Sequence, residues 1–223
     1  VFIITSNFKY LHNHAFSDMQ LALPLTAKQR FWIDYSSGLL IYLLPAIFAM
    51  LLASIPLFMG AANYPLYFDN VDKILPSFAI IIIIGMIMFY TFAVFSVVYC
   101  GTLIDSLINI FLINAVIPLT LIATSISIEE GFLTTSTSSD IPILMSQIVY
   151  TSPIGCAIMI LSNYDNIFIF NSPIIFRWIL SACAVIALFL VLSYIIYKKR
   201  KAEQVATPYV SKIFYHIFMF FTV

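Results

Sequence analysis

The residues best suited to metal or acid–base chemistry in this chain are His12 and His14, and their spacing argues against both uses. Two positions apart, they fall on different faces of a helix, and no acidic or thiol partner stands at ligand spacing. The sequence holds no HExxH and no GxSxG, and its 6 glycines form no phosphate-cradling loop. Hydrolase chemistry and nucleotide binding by the chain itself are therefore not expected. No catalytic residue, metal ligand or cofactor is assigned; if ATP drives the protein, another chain binds it. Cys100, Cys156 and Cys183 are scattered through apolar runs, which suits packing residues better than a disulfide framework or a CxxC site.

One polar group lies inside an apolar run. Asp105 and Asn109 are four residues apart and share a helix face, and Thr120 returns to within about 20° of Asn109 on the 3.6-residue period, whereas Asn114 points about 140° away. Asn109 and Thr120 are thus candidate residues of a substrate pathway. The plainer alternative is hydrogen bonding between helices, with Asp105 at the cytoplasmic interface. No carboxylate is expected at mid-span, which argues against a proton-coupled pump.

The elements that would hold these residues are membrane helices. The chain is 62% hydrophobic and 9% charged, and its mean hydropathy is +1.05. A soluble domain of 223 residues cannot bury that much apolar surface, so the lipid bilayer is the expected surrounding. A net charge of zero gives no reason to expect nucleic acid. Runs of about 20 apolar residues predict crossings at 38–62, 78–100 and 174–197, and a more polar one at 104–125. Residues 141–161 are long enough but are broken by Pro142, Ser152, Pro153 and Gly155. A lipid-facing helix interrupted in that way would leave backbone groups unsatisfied.

Charge decides how that segment is read. With four full crossings, the residues before Gly38 and the Lys198–Lys201 cluster share one face, and eight of the ten basic residues fall there. The positive-inside bias makes that face cytoplasmic. A fifth crossing would export the strongest basic cluster. Residues 141–161 are therefore expected to form a re-entrant outer element with its apex at Ser152, Pro153 and Gly155, the alternative being an interfacial amphipathic helix. The 129–140 tract before it reads as a loop. Phe31, Trp32, Tyr35, Tyr64, Tyr67, Trp178, Tyr194 and Tyr197 are expected as interfacial anchors. The expected class is an all-α, polytopic helical membrane protein in the plasma membrane. It divides into a cytoplasmic segment (1–34), a transmembrane domain (35–197) and a basic cytoplasmic segment with the start of an apolar run (198–223). The absence of an initiator Met at Val1 and the short final run suggest a piece of a longer protein.

The stretch "ALPLTAKQRFW", 22–32, concentrates polar residues just before the first predicted crossing. Ser17 or Asp18 can cap a short helix with Met19, Leu21, Ala22 and Leu23 as apolar knobs, and Pro24 ends it. Thr26 can cap the next helix, with Gln29 placed to complete a capping box. Such a broken and restarted helix suits docking in a partner's groove; an ordinary interfacial linker would look the same.

These residues also carry a resemblance. "FKYLHNHAFSDMQLALPLTAKQRFWIDYSSGLLIYLLP", 8–45, and "YKKRKAEQVATPYVSKIF", 197–214, resemble corresponding segments of permease subunits of bacterial type-2 ABC exporters, particularly a Gram-positive group. The middle of the chain matches that family only in hydrophobic outline, and Ala22 and Ala27 stand where polar and basic residues are common there. The resemblance implies a six-helix permease of which this chain supplies crossings three to six, residues 1–5 ending the second. It further implies that Asp18, Met19, Leu21, Leu23, Pro24, Thr26, Lys28 and Arg30 contact a separate ABC ATPase subunit, that ATP is bound by that partner, and that a second permease chain completes the pathway within the lipid bilayer. Two other readings remain open: a non-transporting membrane interaction, immunity or regulatory protein, and an intramembrane enzyme, which would need buried ionisable pairs.

Overall fold

The computed structural model describes residues 2–12, 24–63, 71–116, 119–120, 123 and 173–199. Almost all of them are helical. A short helix α1 (Phe2–Asn7) leads into a 3-10 turn (Lys9–His12), and α2 (Ala27–Asn63), α3 (Val71–Tyr99), α4 (Leu103–Phe111) and α5 (Pro173–Lys199) follow. A π-helical segment, Leu112–Val116, continues α4 directly.

Three stretches are long and apolar enough to cross a membrane: Ala27–Gly60, Ala79–Tyr99 and Ile179–Lys199. They contain the core of the crossings expected at 38–62, 78–100 and 174–197. The fourth expected crossing is described only as the shorter apolar helix Leu103–Asn114, which at about 1.5 Å per residue falls short of a 30 Å hydrocarbon core. Residues 129–140 and 141–161, with Ser152, Pro153 and Gly155, lie outside the described residues.

The 37 residues of α2 span about 55 Å, well beyond the hydrocarbon thickness. Its charged residues, Lys28, Arg30 and Asp34, all fall in the first eight positions, so the surplus length has a polar end to project into water. The helix continues through Pro45 and Pro56. Each proline removes a donor from the carbonyl four residues earlier, a loss that membrane helices tolerate where local adjustments re-satisfy the ladder.

α3 is the centre of the bundle, and α1, α2, α4 and α5 all pack against it. From Met88 to Cys100 every residue except Phe89 is buried. Its two buried aliphatic hydroxyls donate within their own helix: Thr91 Oγ1 to Ile87 O at 2.8 Å and Ser96 Oγ to Phe92 O at 2.9 Å, the usual solution for hydroxyls in apolar surroundings. Phe189 of α5 meets Phe92 and Phe95 with ring centroids 4.5 and 5.2 Å apart.

α4 is amphipathic in the inverse sense to a soluble helix. Ser106 and Asn109 are buried with Ile110, while Leu103, Ile104, Leu107, Ile108 and Phe111 face outward. That pattern costs free energy in water and none against lipid tails, so it marks the outer face of a membrane bundle. The cysteine expectation divides: Cys100 is buried, but Cys183 is exposed on α5.

Candidate functional site

Tyr10, His12, Thr26, Arg30 and Asp34 lie at the end of the bundle where α2 begins and α5 finishes. Thr26 starts α2 by a reciprocal cap: Gln29 N donates to Thr26 Oγ1 at 3.3 Å, and Thr26 N and Oγ1 donate to Gln29 Oε1 at 3.1 and 2.9 Å. The capping box expected from the sequence is therefore present, and it fixes the direction in which the chain enters α2.

One turn further, Arg30 turns inward and is only 7% exposed. Its guanidinium reaches Leu25 O at 3.5 Å and lies beside the Tyr197 hydroxyl, while its Nε has no hydrogen-bond partner. Asp34 accepts from Tyr10 Oη at 2.7 Å, and the Tyr10 and Tyr197 hydroxyls are 3.0 Å apart. Because the single Tyr10 proton goes to Asp34, Tyr197 must donate to Tyr10. A relay therefore runs from Tyr197 through Tyr10 to the Asp34 carboxylate. Burial above all, then Tyr197 and the Asp34 carboxylate, raises the Tyr10 phenol far above its ordinary range. Tyr10 stays protonated and remains a donor.

Aromatic rings enclose the relay. Phe31 is fully buried, with ring centroids 5.3 Å from Tyr197, 5.7 Å from Tyr194 and 6.1 Å from Tyr35. Tyr35 Oη lies 3.1 Å from Thr91 Oγ1, whose own proton is committed to Ile87 O, so Tyr35 is the donor. Tyr90 Oη donates to the Tyr35 carbonyl at 3.0 Å. Phe31, Tyr35 and Tyr197, expected as interfacial anchors, are instead buried packing and hydrogen-bonding residues. Trp32, 41% exposed, is placed as an anchor would be. Tyr64, Tyr67 and the side chain of Trp178 lie outside the described residues.

His12 completes this end, with Nδ1 3.0 Å from Gly101 O, which makes Nδ1 the donor. Gly101 belongs to the turn between α3 and α4, where Thr102 caps α4: Asp105 N donates to Thr102 Oγ1 at 3.2 Å and Thr102 Oγ1 donates to Asp105 Oδ2. Asp105 is thus occupied at the first turn of α4. Among the described residues, no three His, Cys, Asp or Glu side chains come together as a metal site would require.

The residues assigned to ATPase coupling divide accordingly. Pro24, Thr26 and Lys28 are exposed, and Arg30 is buried in the relay cluster; Asp18, Met19, Leu21 and Leu23 lie outside the described residues. Asn109 is 5% exposed and Asn114 also 5%, whereas Thr120 is exposed. Asn109 and Thr120 therefore do not share an environment. The π segment between them adds about one residue to a turn and shifts the phase of everything after it, which a constant 3.6-residue period cannot anticipate. Tyr10, Asp34 and Gly38 were not singled out by sequence reasoning. Their importance comes from partners distant in the chain, and no local pattern announces those.

No family model, curated protein or solved structure matches the chain. The functional reading therefore rests on the residues themselves.

Proposed function

We propose that this chain is a membrane-spanning permease subunit of an ATP-driven exporter of the type-2 ABC class. It works in the plasma membrane with a separate ABC ATPase and a second permease chain. The observation that carries the reading is the 8–45 segment, whose resemblance to such permeases includes Tyr10, His12, Thr26 and Asp34, residues that tie its described parts to the bundle. Asp18, Met19, Leu21 and Leu23 of the coupling residues lie between His12, bonded to the Gly101 carbonyl, and the Thr26–Gln29 cap. Displacement of that segment by a partner would be delivered at one end to the α3–α4 turn and at the other to the start of α2.

The charge argument points the same way. Tyr10 contacts both Asp34 near the start of α2 and Tyr197 next to Lys198, so the two basic regions occupy one end of the bundle, as the four-crossing reading requires. That end is the cytoplasmic one in this proposal, where an ATPase would dock. The remaining crossing, completed beyond residue 116, and the re-entrant 141–161 element belong to the same proposal.

The test is copurification with and stimulation of the ATPase. The full chain, isolated from its native membrane, should bring down a P-loop ATPase without membrane spans, and Leu21→Asp should abolish stimulation of its activity while the chain still inserts. If no ATPase accompanies the chain, or if Leu21→Asp leaves stimulation intact, the exporter reading fails and the interaction or immunity reading replaces it.

A further inference from the structure

In the run formed by α4 and the π segment, two side-chain amide atoms lack a partner on the protein. In α4, Asn109 Nδ2 is buried with no hydrogen-bond partner, and in the π segment Asn114 Oδ1 is in the same state. Both residues are more than nine-tenths buried. The other end of the Asn114 amide is accounted for, since its Nδ2 donates to Ile110 O at 2.9 Å. One donor and one acceptor are therefore left open, five residues apart along a single helical run, or about 7–8 Å along its axis.

Lipid does not occupy these positions. The outward face of α4 is Leu103, Ile104, Leu107, Ile108 and Phe111, whereas Asn109 and Asn114 are buried with Ser106, Ile110 and Ile113. Both α4 and the π segment pack on α3. Over residues 88–100, the buried part of that helix and its end, α3 offers no aspartate, glutamate, lysine, arginine or histidine, and its hydroxyl protons at Thr91 and Ser96 are already donated within the helix. A buried amide is retained in such surroundings only when something hydrogen-bonds to it. Among the described residues, α3 presents no charged side chain to this seam and Asp105 is engaged at the Thr102 cap, so the seam offers no unengaged charge and suits a neutral occupant, and a small one, because the atoms are enclosed. At Asn109 the occupant has to accept, and at Asn114 it has to donate. Water satisfies all of these conditions, and buried waters typically sit on otherwise unpaired polar groups. The π turn fits this assignment, because such turns recur where a helix is adapted to a functional position.

We propose that the seam between α3 and the α4–π run is hydrated, with one ordered water accepting from Asn109 Nδ2 and another donating to Asn114 Oδ1. This inference does not depend on the exporter reading and would hold for any helical membrane protein with this packing.

The experiment uses the full chain in lipid nanodiscs with 15N-labelled asparagine side chains. Water-edited solid-state NMR measures magnetisation transfer from water to each amide, and the signals are assigned with Asn109→Leu and Asn114→Leu. Transfer to Asn109 and Asn114 comparable to that at exposed Asn63 is expected. A second readout is the thermal midpoint of Asn109→Leu: loss of a water-bound amide lowers it by about 2–4 °C, whereas removal of a dry, orphaned amide raises it. Absence of transfer to both amides, or an unchanged or raised midpoint, overturns the proposal. If Asn109→Leu does not fold, the wild-type spectrum with the Asn114→Leu assignment decides alone.

Discussion

Gly38 shows how closely the helices approach one another. A Cβ at this position would collide with the Tyr90 hydroxyl and the Asn7 amide, and the Tyr90 hydroxyl is held in place by its bond to the Tyr35 carbonyl. Gly38→Ala should therefore destabilise the chain by about 1–3 kcal/mol, read as a lower thermal midpoint in detergent. Adding Tyr90→Phe removes the obstructing oxygen and should recover part of the loss; a double variant no better than Gly38→Ala would refute the steric account. Tyr10→Phe is expected to cost about 1–2 kcal/mol, because Asp34 loses a donor and Tyr197 an acceptor in a part-buried site. A double-mutant cycle of Tyr10→Phe with Tyr197→Phe should then show non-additivity, and strict additivity would mean that the relay does not act as a unit. None of this was legible in the sequence. Gly38 stood there only as the start of an apolar run, and Tyr90 is fifty-two positions away.

At the scale of the element, the sequence was most informative where the determining interactions are local. The Thr26–Gln29 cap depends on two residues three apart, and it is present as expected. Thr26→Ala should cost about 1 kcal/mol and raise amide exchange over residues 27–30 while leaving the middle of α2 protected; unchanged exchange there would show that the cap does not hold the helix start. The apolar cores of α2, α3 and α5 were equally readable, since length and hydropathy alone define them. A constant helical period takes no account of the π-helical turn that follows Phe111, and the sequence does not separate interfacial aromatics from buried ones, such as Phe31, Tyr35 and Tyr197. An aromatic near a span boundary can anchor in headgroups or fill the core. Phe31 and Tyr197 do the latter because the relay and the Tyr194 ring enclose them, a fact set by tertiary packing.

For the whole molecule, the strongest constraint is that α1, the start of α2, the α3–α4 turn and the end of α5 meet at one end. Single cysteines at Lys28 and Lys198, both exposed, placed in a chain otherwise free of cysteine, should react with a membrane-impermeant maleimide from the same side of sealed vesicles. The four-crossing proposal makes that side the cytoplasmic one. Opposite labelling would exclude this packing. In the sequence the positive-inside bias alone argues for placing the two basic regions together, whereas the contacts at this end involve tyrosines and one aspartate.

The bond between Tyr10 and Tyr197 closes a loop of 187 residues, and that has a consequence for biosynthesis. While the ribosome is still making the chain, α1, α2 and α3 are complete well before α5 emerges, so the niche around Phe31 stays without its lid until α5 is made. Nascent chains arrested before Pro173 should accordingly be cut by protease near residues 25–35, and chains that already include α5 should resist; a helix made late seals the start of one made much earlier.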